Sequence, residues 1–211
     1  MKNSPLKNWI NKHYTDNIVL NSLTKKFRTA KPFPNLELTD FFNRAKLTRI
    51  RESLQDEEFY EKESDLFKLK QTNDLVSSKN RNILEFRRFL CSPDFIGLME
   101  SIAGTELKRN YIDLSGNIYE DTCFLLCHDD RLEGRKIAFI IYFTSLPATD
   151  GGSLGLLDSK KGMPNKIIKR IQPEFNKFAF FQVSYKSFHE VEEVIGSSSR
   201  LTLTGWFHGE D

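Results

Sequence analysis

His128 and Asp130 stand two residues apart in the run LLCHDD. In an extended chain, side chains at i and i+2 share a face, so an imidazole and a carboxylate point together while Asp129 points the other way. Such a pair supplies two of the three donors of a two-histidine, one-carboxylate iron(II) site. The remaining donor has to come from elsewhere, and the chain has only four histidines, which narrows the search. His13 lies in a stretch of helical texture, His208 near the carboxyl end, and His189 within the strand-like SFHEVEEV, which makes it the natural third donor.

A His-x-Asp pair is weak by itself, because most such pairs are surface accidents. Three further features strengthen it. Arg200 follows His189 at the head of the next strand-like segment, RLTLTGWF. Its planar guanidinium can grip a carboxylate with two hydrogen bonds, which is what the far end of 2-oxoglutarate would require. The alternation Arg200, Thr202, Thr204 sets a hydroxyl beside that guanidinium. Tyr142 shares a face with Ala138 and Ile140 in IAFIIY and could donate from an apolar interior. Taken singly, each has a commoner structural role: a core tyrosine, a strand-edge arginine, a hydrogen-bonded histidine. Their joint order on a strand-rich background carries the reading. Zinc held by Cys123, Cys127 and His128 is a competing arrangement, but the spacing is not C-x2-C and no second thiol pair exists.

These residues need strands to position them. From Tyr111 onward, NYIDL, CFLLCHD, KIAFIIYF, GSLGLL, KFAFFQV, SFHEVEEV and RLTLTGWF alternate with turns. Roughly seven or eight short strands in about 100 residues predict a sandwich or jelly roll, and Gly151-Gly152 a tight turn or bulge. The preceding third reads as helical. Ser4-Pro5 opens a first helix bearing Leu6, Trp9 and Ile10, and Thr39-Asp40 caps another through Phe41 and Phe42. Apolar residues recur at helical spacing from Leu47 to Phe59, and Ile83–Leu90 and Phe95–Ile102 form two more helices across Ser92-Pro93. The expectation is a single α+β domain over 1–211, with helical support to about residue 105 and a β core from about 106 to 209.

Composition excludes several classes. With 31 basic and 29 acidic residues, a nucleic-acid coat is not expected and no direct nucleic-acid binding is required. The basic stretch from Lys25 to Arg51 reads as a solvated face, with a docking surface for RNA or an RNA-bearing particle as the alternative. Three cysteines form no disulfide framework, no run is long enough to span a membrane, and MKNSPLKNWINKHY lacks a signal-peptide core. The compartment expected is the cytoplasm or nucleus, with no membrane partner.

LLCHDDRLEGRKIAFIIYF, GGSLGLLDS, NKFAFFQVSYKSFHEVEEV and RLTLTGWFHG resemble the catalytic domain of eukaryotic 2-oxoglutarate- and iron-dependent prolyl hydroxylases that modify a small-subunit ribosomal protein. ESDLFKLKQTNDL and FRRFLCSPDFIGLMESIAGTEL resemble the family's helical and early-strand region, so the likeness spans residues 35–209. It implies a double-stranded β-helix (a jelly-roll, cupin-like fold) with His128, Asp130 and His189 binding Fe(II). It implies Arg200 as the salt-bridge partner of the 2-oxoglutarate C5 carboxylate, Tyr142 bonding the same cosubstrate, and Tyr119 near the active site. Trp206 falls in a matching block and is expected to pack the core. The implied reaction uses O2, with ascorbate as reductant, hydroxylates a prolyl residue and releases succinate and CO2. Members of the family continue into a second, metal-free β-helix domain, which is expected to be absent here because the chain stops at Asp211. Two alternatives remain open: the same oxidant aimed at a lysine or a nucleic-acid methyl group, and a non-catalytic module that senses oxygen or metabolite by binding.

Overall fold

A computed structural model describes residues 5–209. In chain order the elements are α1 (Pro5–Trp9), α2 (Asn17–Thr29), β1 (Asn35–Leu38), α3 (Arg44–Leu54), β2 (Tyr60–Ser64), β3 (Phe67–Gln71), α4 (Arg81–Leu90) and α5 (Pro93–Ala103). The strands β4 (Ile112–Tyr119), β5 (Phe124–His128), β6 (Arg135–Tyr142), β7 (Leu154–Lys160), β8 (Met163–Ile171), β9 (Phe178–Gln182), β10 (His189–Val191) and β11 (Arg200–His208) follow. The named strand pairings are antiparallel, in the order β1-β9-β6-β11-β4-β3-β5-β10-β7-β8, with β2 attached to β3. The sheet curls into a nearly closed barrel of double-stranded β-helix type, with helices packed on one side.

Local chemistry explains several helix ends. Asp16 accepts from the amides of Ile18 and Val19 to start α2, and Asn80 accepts from Asn82 to start α4. Ser92-Pro93 opens α5, and Gly104 closes it in the left-handed conformation. On α4, Ile83, Phe86, Phe89 and Leu90 form one buried face. Ser4, the expected cap of α1, lies outside the described residues.

Three differences from the sequence reading have physical causes. Phe41 and Phe42 do not continue a helix from Thr39-Asp40. Asp40 has a left-handed backbone (φ 47°), and the Asn176 side chain grips Phe42 through both its amide (2.9 Å) and its carbonyl (2.8 Å). A partner 134 residues away overrides local preference, and Asn43 caps α3 instead. That helix ends at Leu54, short of Phe59. The amino-terminal third also contributes three strands: β1 pairs with β9, and β3, joined to β2, pairs with β4 and β5.

Phenylalanine fills the layer between helices and sheet. Phe27, Phe41, Phe86 and Phe95 from the amino-terminal part meet Phe139, Phe178, Phe180 and Phe207 from the strands. Each such side chain contributes about 1.5–3 kcal/mol by leaving water. This layer holds β6, β9 and β11 rigid from behind, and their other face lines the barrel interior. Among the described residues no helix is long and apolar enough to cross a membrane.

Candidate metal centre

Antiparallel pairing of β5 and β10 sets His128 directly opposite His189. Their rings lie 4.1 Å apart between centroids, and His189 is 5% exposed, its ring also against Phe181 at 4.5 Å. Each imidazole is oriented by a backbone carbonyl: Nδ1 of His128 is 2.8 Å from the Leu126 oxygen, and Nδ1 of His189 is 2.8 Å from that of Ser187. With the proton on Nδ1 donated to a carbonyl, the Nε2 lone pair of each ring is free to bind a metal.

Both Nε2 atoms face Asp130. Oδ1 is 3.3 Å from His128 and Oδ2 is 3.3 Å from His189, and the three donors all lie within 4.8 Å of one another. Asp130 does not reach this place by strand alternation, as the sequence suggested. It lies past the end of β5 with a left-handed backbone (φ 63°), a conformation that aspartate tolerates better than most residues. Asp129 turns away to bind Arg131 through Nε at 2.8 Å. Burial pushes the Asp130 carboxyl up, but the charges and hydrogen bonds of His189 and His128 outweigh it and hold the group well below the usual carboxylate range. Burial lowers His128; its hydrogen bond to Asp130 and that carboxylate's charge reverse this and leave it raised. The pocket thus keeps Asp130 an ionised carboxylate, as a divalent cation requires of its ligand.

The donors open into a cavity of about 250 Å³ whose wall includes Asn117, Tyr119, Leu154, Phe181, Arg200 and Trp206. Arg200 begins β11 opposite Tyr119 at the end of β4, and Thr202 lies opposite Tyr142 at the end of β6. The two tyrosine rings flank the guanidinium, whose carbon is 4.9 Å from the centroid of Tyr119 and 5.1 Å from that of Tyr142. Arg200 is 1% exposed, yet its three nitrogens, the Tyr142 hydroxyl and the Thr202 hydroxyl make no hydrogen bond. A buried, unpaired guanidinium costs several kcal/mol. Here the orphaned donors converge, and the partner they fit is an anion with several acceptor oxygens. Burial pushes the Tyr119 phenol up to about 12 and raises Tyr142 also, with Arg200 opposing both, so each remains a protonated donor.

Residues 114–208 match the 2OG-Fe(II) oxygenase superfamily. The chain carries a domain of that family. Its members use Fe(II), 2-oxoglutarate and O2, and the His-Asp-His cluster and the orphaned donors fit the first two of these. Curated relatives include the prolyl 3-hydroxylase OGFOD1 of Mus musculus, 41% identical over 77% of this chain and 30% of that protein. Another is the prolyl 3,4-dihydroxylase OGFOD1 of Ostreococcus tauri, 35% identical over 85% of this chain and 38% of its own. The chain therefore spans about a third of the length of these relatives. Among solved structures, a Pseudomonas putida prolyl-4-hydroxylase superposes with a TM-score of 0.72 at 16% identity, covering 91% of this chain and 100% of the other. A Trichoplax adhaerens prolyl hydroxylase bound to a hypoxia-inducible-factor peptide fragment gives 0.69 at 15% identity, covering 93% and 95%. These two share the fold of the oxygenase domain.

Several residues of the oxygenase pocket escaped the sequence reading. Trp206, expected only to pack, donates its indole N–H to Asp130 Oδ2 at 3.0 Å. The face that carries Arg200, Thr202 and Thr204 simply continues to it, which was the available signal. Asn117 donates to the Thr204 hydroxyl at 2.6 Å and accepts from Gln71 at 2.7 Å, and Lys62 donates to Gln71 at 2.7 Å. This polar wall brings the β2–β3 hairpin to the cavity. Among the described residues the cluster able to hold a metal is His128, Asp130 and His189, without Cys127, whose thiol is pushed up to about 11, by burial first and then by the charges of Glu190 and Asp129.

Proposed function

We propose that this chain hydroxylates a prolyl residue of a protein, with Fe(II) held by His128, Asp130 and His189. Arg200, Tyr142, Thr202 and Tyr119 receive 2-oxoglutarate. The observation that carries the reading is the buried, unpartnered Arg200 guanidinium in the same cavity as the His-Asp-His cluster. With iron and 2-oxoglutarate bound, the centre supplies a dioxygen-derived oxidant able to hydroxylate a C–H bond, with release of succinate and CO2. Everything else falls to the protein's own side chains. The two carbonyl-anchored imidazoles and Asp130 would hold the metal through three donors. Arg200 grips the far carboxylate with charge-assisted hydrogen bonds, and the protonated tyrosine and the threonine add neutral donors. Leu154, Phe181 and Ile140 line the cavity with apolar surface and exclude water.

The names of the curated relatives favour proline as the target, and the sequence resemblance favours a small-subunit ribosomal protein, in the cytoplasm or nucleus. The test uses purified protein with Fe(II), 2-oxoglutarate and proline-bearing peptides from that protein's decoding region. The expected result is succinate formed together with a peptide heavier by one oxygen atom, which fragmentation assigns to proline. Oxygen on lysine, or succinate without peptide oxidation, would remove the prolyl assignment. No succinate from any peptide or from ribosomes would remove the oxygenase reading itself.

A further inference from the structure

Asp130 is held by more than the histidines. Its Oδ2 accepts the indole N–H of Trp206 at 3.0 Å, and an indole nitrogen can only donate. Trp206 in turn is clamped. It lies on β11 between Asp113 of β4 and Ala138 of β6, and the Arg135 guanidinium carbon sits 3.5 Å from its ring centroid. Arg135 reaches Asp113 Oδ2 at 3.6 Å, and His208 Nε2 lies 3.0 Å from that same oxygen. Tyr111 closes the chain with an edge contact on the His208 ring at 4.7 Å. A continuous line of contacts runs from the half-exposed Tyr111 ring to the candidate metal centre.

We propose that Trp206, clamped by Arg135 and Asp113, is a positioning residue that keeps Asp130 a one-oxygen donor. The inference rests on the iron-binding reading above. Asp130 lies beyond the ladder of β5 with a left-handed backbone, so strand pairing does not set its side-chain direction. The indole engages Oδ2, which also lies 3.3 Å from His189 Nε2, and leaves Oδ1, 3.3 Å from His128 Nε2, without an indole partner. Without that hydrogen bond, both oxygens are free to chelate. A chelating carboxylate would occupy a position that 2-oxoglutarate and dioxygen need. The stacked guanidinium fixes the ring plane, and a cation over an indole face is itself attractive.

The test compares the wild-type chain with Trp206→Phe, which keeps an aromatic ring and loses the N–H, and with Arg135→Met, which keeps the N–H and loses the clamp. Co(II) is the probe, added without oxygen. Affinity is read by equilibrium dialysis, donor number by the visible absorption of the bound ion, and folding by the metal-free melting temperature. Trp206→Phe is expected to weaken Co(II) binding by ~10–100-fold, the usual loss when an outer hydrogen bond to a ligand goes. Its spectrum should move toward a higher donor number. Arg135→Met should shift both in the same direction by less. A folded Trp206→Phe protein with unchanged affinity and spectrum overturns the proposal. If that variant does not fold, Arg135→Met decides on the same two readouts. Failure of the wild-type protein to bind Co(II) at all would instead sink the metal-site reading on which this one stands.

Discussion

Alternate side chains of β11 enter two different environments. Leu201, Leu203 and Phe207 pack into the aromatic layer beneath the helices, while Arg200, Thr202, Thr204 and Trp206 face the cavity side. The same division runs through β6, where Ile137, Phe139 and Ile141 face the helices and Ala138, Ile140 and Tyr142 face inward. One face is apolar and close-packed and supplies stability. The other holds a buried guanidinium and two hydroxyls without partners, each unfavourable to the empty fold. The first face supports the second: a binding site with unsatisfied donors persists on a rigid, close-packed back wall.

Substitutions on the two faces should therefore separate function from stability. The largest effect is expected for His189→Ala, which removes a proposed iron ligand. Metal analysis should show iron lost and the succinate assay should fall to background, while circular dichroism stays that of the native fold. Phe207→Ala, across the sheet from the cavity, should do the reverse. Phe207 is 0% exposed and packs on Phe95 and Phe139, so truncation should cost about 3–5 kcal/mol in urea unfolding. The fraction that remains folded should keep its KM for 2-oxoglutarate.

Arg200→Met sharpens the contrast, because one substitution should move the two properties in opposite directions. Loss of the guanidinium should raise the KM for 2-oxoglutarate at least ~100-fold, as expected when an ion pair worth about 3–5 kcal/mol is broken. The metal-free protein should melt at a higher temperature, since a buried unpaired charge has gone. A lower melting temperature would show that Arg200 is a structural residue after all.

The tyrosines add a pH signature. Burial, opposed by Arg200, pushes Tyr119 up to about 12 from an ordinary 10. The folded state then binds the phenolic proton more tightly than the unfolded chain does. That stability is fully present below pH 10 and is lost as the pH rises toward 12. The interval corresponds to roughly 3 kcal/mol for this one group. Urea midpoints should fall through that window, and Tyr119→Phe should remove part of the fall. The smallest change is expected for Thr202→Val: a rise in KM for 2-oxoglutarate worth about 1 kcal/mol, with stability unchanged or slightly higher.

Much of the candidate centre is legible in the residues themselves. A chain with four histidines offers few ways to assemble a ligand set, and a period of two assigns Arg200, Thr202 and Tyr142 to faces. The jelly-roll class follows from short alternating segments between turns. Gly151 and Gly152 are legible too. Both have positive φ, 70° and 71°, and a Cβ on Gly151 would collide with the Glu193 carbonyl. The exposed β8 is not legible, because its side chains carry little alternation. Phe41 and Phe42 mislead because their helical signal is local and the Asn176 hydrogen bonds that decide their conformation are not.

Residue type and periodicity by themselves determined which side chains could share a face, which donors were available, and that the inward face would carry charge. Only the tertiary structure decided that His128 meets His189 in register, that Asp130 arrives through a left-handed residue rather than a strand, and that Trp206 bonds it. The division has a simple cause. Alternation is a property of neighbouring residues along one chain. Register and convergence are set by hydrogen bonds and packing between segments tens of residues apart, which no local pattern encodes.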